Sequence, residues 1–154
     1  MNNKCLSVIV VLVLVIVGGA YKFIVEGSTS ESTDGRLAIH LNASERDLVL
    51  KEMRSFLISV QQIAKGISED NMDHVSTYAR KVGAAAQEEV PVTLVGKLPL
   101  EFKKQGFDTH KKFDLLALDA ESLGDDGHAL IQLTELMENC VSCHAGYRLV
   151  AVEK

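Results

Sequence analysis

The residues with the most chemistry to offer lie near the end of the chain, in the stretch MENCVSCHAGYRLV: Cys140, Cys143 and His144. Two thiols and an imidazole in the pattern C-x-x-C-H can attach a haem covalently, form a redox dithiol, or contribute to a zinc site. On a helix, Cys140 and Cys143 are three residues apart and Cys140 and His144 four, so all three share one face. Covalent haem needs that arrangement. Two sulfurs must each reach a vinyl group of the same porphyrin, and an imidazole one turn on can reach the iron as proximal ligand. The rivals ask for neighbours that are missing. A redox dithiol belongs where a strand passes into a helix, and no strand pattern is evident. A structural zinc site wants four ligands, and there is no second paired Cys or His cluster. A disulfide between Cys140 and Cys143 would close a tight, strained loop.

The elements that must position these residues read as helices. The first of four starts near Asn42 or Ser44, with a cap ahead of Glu45 and Asp47. Its apolar stripe is Val49, Met53, Phe56, Val60, Ile63 and Ile67, widened to one side by Leu50, Leu57 and Ala64. A second helix follows SEDN, with Met72, Val75, Ala79 and Val82 inward, and ends before Pro91. Residues 90–106 hold both prolines and read as a long connection with a short helical piece around PLEFKK. A third helix is expected from Asp108 to Leu123, burying Phe113, Leu116 or Ala117, Ala120 and Leu123. After GDDG, the fourth carries Leu130, Leu133, Met137, Cys140 and His144 on one face. The expected fold is all-α, an up-down-up-down four-helix bundle behind an N-terminal transmembrane or signal helix.

That leading segment is CLSVIVVLVLVIVGGA at residues 5–20, an apolar run flanked by Lys4 and Lys22. Residues 1–25 read as a signal-anchor, with a cleaved signal peptide as the alternative. The anchor is favoured because no A-x-A site is present and apolar character resumes past Lys22. Cys5 lies in this run and reads as an incidental apolar residue. Residues 26–35, EGSTSESTDG, read as a flexible linker, and residues 36–154 as the folded domain. The whole chain carries 16 basic and 21 acidic residues. Without Lys4 and Lys22 the exported part keeps 14 basic residues against the same 21 acidic ones, a formal charge of −7. That balance excludes nucleic acid as a partner and suits a basic partner face.

A terminal helix ending in C-x-x-C-H-x-x-[FY]-[KR], here Cys140, Cys143, His144, Tyr147 and Arg148, resembles the class II cytochromes c, the cytochrome c-prime family. The resemblance covers about residues 40–150 and implies one covalent haem c, a periplasmic setting and electron transfer with periplasmic or membrane redox proteins. It also implies that Arg148 can pair with a haem propionate. Family members frequently dimerise, and some bind nitric oxide or carbon monoxide. Which of these a member does depends on the residue facing the iron from the first helix. Aligning Arg46 with the Arg that often precedes the distal position puts Leu50 there, leaving an open site for small gases. Met53 lies one turn away on the same face; as a ligand it would favour electron transfer.

The other candidates read as ordinary surface. His40, His74, His110 and His128 are expected at helix ends or on polar faces, with His110 the one to consider as a spare ligand. The lysine pairs at 103–104 and 111–112 are solvated faces or a dock for an acidic redox partner. No phosphate loop, nucleophile elbow or carboxylate pair marks an enzyme. The expectation is a carrier or haem-ligand-binding protein. A haem-free helical interaction domain is the alternative from another class.

Overall fold

The structure is a computed structural model that describes residues 3–87 and 90–152. The expected boundaries at residues 1 and 154, and residues 88–89 ahead of Pro91, lie outside the described residues. The chain is mostly helical, with six helices and one small sheet among the described residues. Helix α1 (Asn3–Ala20) continues into a π-helical turn over Tyr21–Glu26. The apolar segment Lys4–Glu26 has 23 residues, a mean hydropathy of 2.7 and nothing buried against the rest of the chain. At 1.5 Å per residue it is long enough to cross a bilayer.

Strand β1 (Thr29–Glu31) and strand β2 (Leu37–Leu41) follow, then helix α2 (Ala43–Ser68), α3 (Met72–Arg80), the short α4 (Val92–Val95), α5 (Leu100–Leu123), α6 (Asp126–Gly146) and strand β3 (Tyr147–Ala151). Each long helix has a local reason to begin where it does. Asn42 and Glu45 form a capping box: the Asn42 side chain accepts from Glu45 N at 2.9 Å, and Asn42 N donates to Glu45 Oε2 at 3.0 Å. Asn71 caps α3 through His74 N, and Asp125 caps α6 through His128 N. Pro99 occupies the N-cap of α5, and Gly124, in the left-handed region at φ 63°, stops it.

Helix α2 packs on α3 and α6, and α5 packs on α3 and α6, so four helices close a ring. The main core holds Ile63, Val75, Phe113, Leu116 and Leu136, all fully buried. The stripes of α2 and α3 hold in their central residues: Val49, Phe56 and Ile63 are buried, as are Met72, Val75, Ala79 and Val82. Leu57 and Ala64, expected to widen the α2 stripe, are exposed because they lie beyond the face that meets α3 and α6.

Several expectations need correction. The third long helix begins at Leu100, not near Asp108, because PLEFKK is its first turn and it runs straight through Gly106. Leu123, the last residue of α5, is exposed beyond the buried Ala120, and Leu130 is exposed because the inward face of α6 runs through Ala129, Leu133 and Leu136. There is also a sheet where no strand was expected. β1 pairs antiparallel with β2, and β2 pairs parallel with β3, from Leu37 opposite Tyr147 to Leu41 opposite Ala151. Ile39 and Leu41 are fully buried in a second apolar cluster with Val49, Leu94 and Leu98. Thus Thr29, Ser30 and Glu31, inside the stretch expected as a tether, are built into strand.

This sheet positions the site. Leu41 leads through Asn42 into α2, and Gly146 leads directly into β3. Because β2 and β3 are parallel, α6 ends at the Leu37 end of the pair and α2 begins past its Leu41 end, and α2 packs on both α6 and β3. Glu45 ties the start of α2 to the segment ahead of α5 by accepting from Lys97 Nζ at 2.7 and 2.6 Å through its two oxygens.

Candidate functional site

Between the early turns of α2 and the late turns of α6 lies a cavity of about 610 Å³. Cys140, Cys143 and His144 line it from α6, and Leu50 and Met53 line it from α2. The structure thus brings together five of the six residues singled out in the sequence. Arg148 stands apart: it lies on β3 opposite Ala38, with Nη1 3.5 Å from Asp34 Oδ2, and is absent from the cavity lining. Cys140 and Cys143 are half-buried and unbonded, whereas His144 is exposed.

Helix geometry explains the grouping. The three residues sit in the last turns of α6, where Tyr147 N closes the helix by donating to Cys143 O. Arg36 Nη1 donates to the backbone carbonyls of His144 and Tyr147, each at 3.5 Å, which ties the helix end to the start of β2. Tyr147 packs edge-on against Phe102, with ring centroids 5.3 Å apart.

The site is apolar, and its burial favours the neutral thiols. Burial pushes Cys140 up, and burial followed by the neighbouring Cys140 pushes Cys143 to about 11. A redox dithiol depends on a depressed thiol pKa, so this environment argues against that use. Among the described residues no group of three or more His, Cys, Asp or Glu side chains is arranged to hold a bare ion.

Several features of the wall were missed at the sequence level. His110 was expected on the surface, yet it is 2% exposed and lines the cavity. Its Nδ1 donates to the carbonyls of Val82 at 2.8 Å and Gly83 at 3.1 Å, and Nε2 lies 3.1 Å from Glu52 Oε1. Burial opposes protonation of His110, but the hydrogen bonds to Glu52 and the two carbonyls outweigh it and raise the pKa. A helix begun at Asp108 gave His110 no visible inward partner, and the turn at 82–83 that receives it carries no pattern. The other three histidines are half-buried and bonded elsewhere, His40 to Ser30, His74 to Gln62 and His128 to Asp119.

The cations on the lining are Lys51, Arg54 and Lys81. Gln105, also on the lining, donates from Nε2 to Ser142 Oγ at 3.1 Å, while its buried Oε1 has no protein partner. Of the lysine pairs, Lys103 donates to Ile24 O, Lys104 pairs with Glu101, and Lys112 bridges Asp108 and Asn139.

No family model, curated protein or solved structure matches the chain.

Proposed function

We propose that this chain is a monohaem c-type cytochrome, a four-helix bundle of α2, α3, α5 and α6 held by α1 on the periplasmic face of a bacterial cytoplasmic membrane. Its role is electron transfer. One observation carries the reading: both thiols and the imidazole of C-x-x-C-H line a single apolar cavity that faces α2. The cavity's volume, about 610 Å³, falls within the roughly 300–1,000 Å³ of sites that enclose sizeable organic ligands.

The residues present fit the group. Cys140 and Cys143 supply two sulfurs for thioether bonds, and His144 supplies the proximal nitrogen. Leu50, Leu57 and Val60 give the apolar wall a porphyrin needs, and the unpartnered Oε1 of Gln105 gives an acceptor beside it. Arg54 and Lys51 on the lining would be the cations to pair with propionates, a role the resemblance had implied for Arg148, whose guanidinium lies near Asp34, while Lys81 Nζ sits over the Tyr78 ring. The bound haem stores one electron reversibly on its iron. The chain's own part is to exclude water from most of the ring, fix the imidazole through the capped end of α6, and set the distal environment from α2.

A second reading, binding of a small gas at an open distal position, has support of its own. Met53 packs against both apolar clusters, as a structural residue would, while Leu50 lines the same wall. Expression with haem-attachment machinery followed by absorption spectroscopy separates the readings. A low-spin reduced spectrum that ignores carbon monoxide is the carrier's, and a high-spin spectrum that shifts on its addition is the gas binder's. A colourless protein sinks both and leaves a helical interaction domain.

A further inference from the structure

Behind the His110–Glu52 pair lies a second, smaller cavity of about 140 Å³. It shares Glu52, His110, Gly106 and Phe102 with the larger one, so the two spaces are separated by a single layer of side chains. Val95, Lys103 and Phe107 line only the smaller space.

Its position in the molecule is unusual. Lys103, on its wall, donates from Nζ to Ile24 O at 2.9 Å, in the final turn of the segment long enough to span a bilayer. The joint there has no slack. Gly27 holds φ 68° against the carbonyl of Lys97, where any Cβ would collide, and Ser28 N donates to that same carbonyl at 2.7 Å. The smaller cavity is therefore fixed within one lysine's reach of the point where the chain leaves the membrane.

The wall chemistry describes an occupant. Phe102, Phe107, Val90, Val95 and Leu98 offer apolar and aromatic surface. Glu52 offers a carboxylate whose Oε1 meets His110, leaving its second oxygen as an acceptor for a ligand hydroxyl. The volume, about 140 Å³, is of the size that takes a single ring, and Glu52, Gln87, Lys103 and His110 add polar groups to the wall. Gly106 lines both spaces, and nothing lies within 4 Å of where its Cβ would be.

The geometry points to a second binding site: the smaller cavity takes the hydroxylated ring of a membrane-dissolved hydroquinone, with one hydroxyl donating to Glu52. Held there, the ring stands one side-chain layer from the larger cavity. Its use as a reductant rests on the haem reading: the hydroquinone would give one electron to the chain's single ferric haem and a second once a partner redox protein has reoxidised it, and would leave as the quinone with two protons released to water. Binding itself does not rest on that reading.

The test is calorimetric titration of full-length protein in phosphatidylcholine nanodiscs with trimethylhydroquinone under anaerobic conditions. Saturable one-to-one binding is expected, weakened about tenfold or more by Val95→Phe, which narrows only the smaller space. Phe107→Ala, at a half-exposed wall position, gives a second variant and weakens binding less. Trimethylbenzene, the same ring without hydroxyls, binds more weakly. Absent saturation in the native protein, unchanged affinity in both variants, or equal affinity for trimethylbenzene overturns the proposal. Absorption spectra of the same samples keep the two readings apart. A coloured protein that does not bind sinks only the second site, and a colourless one that binds sinks only the haem.

Discussion

The two ends of the helical ring are built from the same four helices but packed in opposite ways. At one end, Ile63, Val75, Phe113, Leu116 and Leu136 fill the space completely. At the other, α2 and α6 present Leu50, Leu57, Met137 and Cys140 to a cavity of about 610 Å³, and Leu57 is 70% exposed. A closed core with such a void would lose more than a domain's marginal stability. The space is therefore one that water enters or a ligand fills. The β2–β3 pairing ties the chain entering α2 to the chain leaving α6, and the Lys97–Glu45 pair ties the start of α2 to the segment ahead of α5. The closed end provides stability, and the open end is where that stability is spent on a site.

The contrast breaks most severely if the open end is not a haem site. Replacing Cys140 and Cys143 together with alanine should abolish covalent haem entirely, measured by mass and by haem staining after denaturing electrophoresis. The fold, followed by circular dichroism, should persist, because Cys140 only packs on the edge of the main core while half-buried and Cys143 is not part of it. Haem retained after denaturation in the double variant would remove the basis of the comparison.

Next in size is a cut into the closed end. Phe113 is fully buried and stacks on Phe56 with centroids 5.4 Å apart. Phe113→Ala should cost about 3–5 kcal/mol in urea denaturation. A loss below about 1 kcal/mol would mean that this end is as loosely packed as the other.

How far these two ends could be read from the sequence differs, for physical reasons. The caps at Asn42 and Asn71 are local hydrogen-bond patterns, and the α2 and α3 stripes are local periodicities, so both were legible. So was the grouping of Cys140, Cys143 and His144, since helical spacing alone places them on one face. The start of α5 was misread because Pro99 and Gly106 act as breakers in most settings, yet Pro suits a helix start and one Gly is tolerated inside a long helix. The sheet was invisible because its strands are three to five residues long and β2 pairs with β3 across more than a hundred residues. Its pattern is carried by no local alternation. The face of α6 was set one residue off, about 100°, by taking Leu130 as inward where Ala129 packs, although Leu133 is buried as expected.

A third test lies at the boundary between the ends. His110→Gln removes a buried imidazole bonded to two carbonyls and to Glu52, at a cost of about 1–3 kcal/mol. The sign of its pH dependence follows from the raised pKa. Stability from this group is fully present below the unfolded value of about 6.5 and is lost as pH rises through the folded one. The gap between native protein and variant in thermal melts should therefore be wider near pH 6 than near pH 9. A gap that widens with pH would mean that His110 is held neutral.

The smallest effect is the most discriminating. Leu57 faces the cavity and is largely exposed, so without a ligand it has little to lose, and Leu57→Ala should change stability by less than about 0.5 kcal/mol. Once a porphyrin covers it, the same truncation removes buried apolar contact and should cost about 1–2 kcal/mol. Measuring the variant in haem-free and haem-loaded protein gives two numbers whose difference reports whether the open end is filled. Equal costs in both forms would place the ligand away from α2. A large cost in the haem-free form would show that the cavity closes on itself, making the two ends of the ring alike.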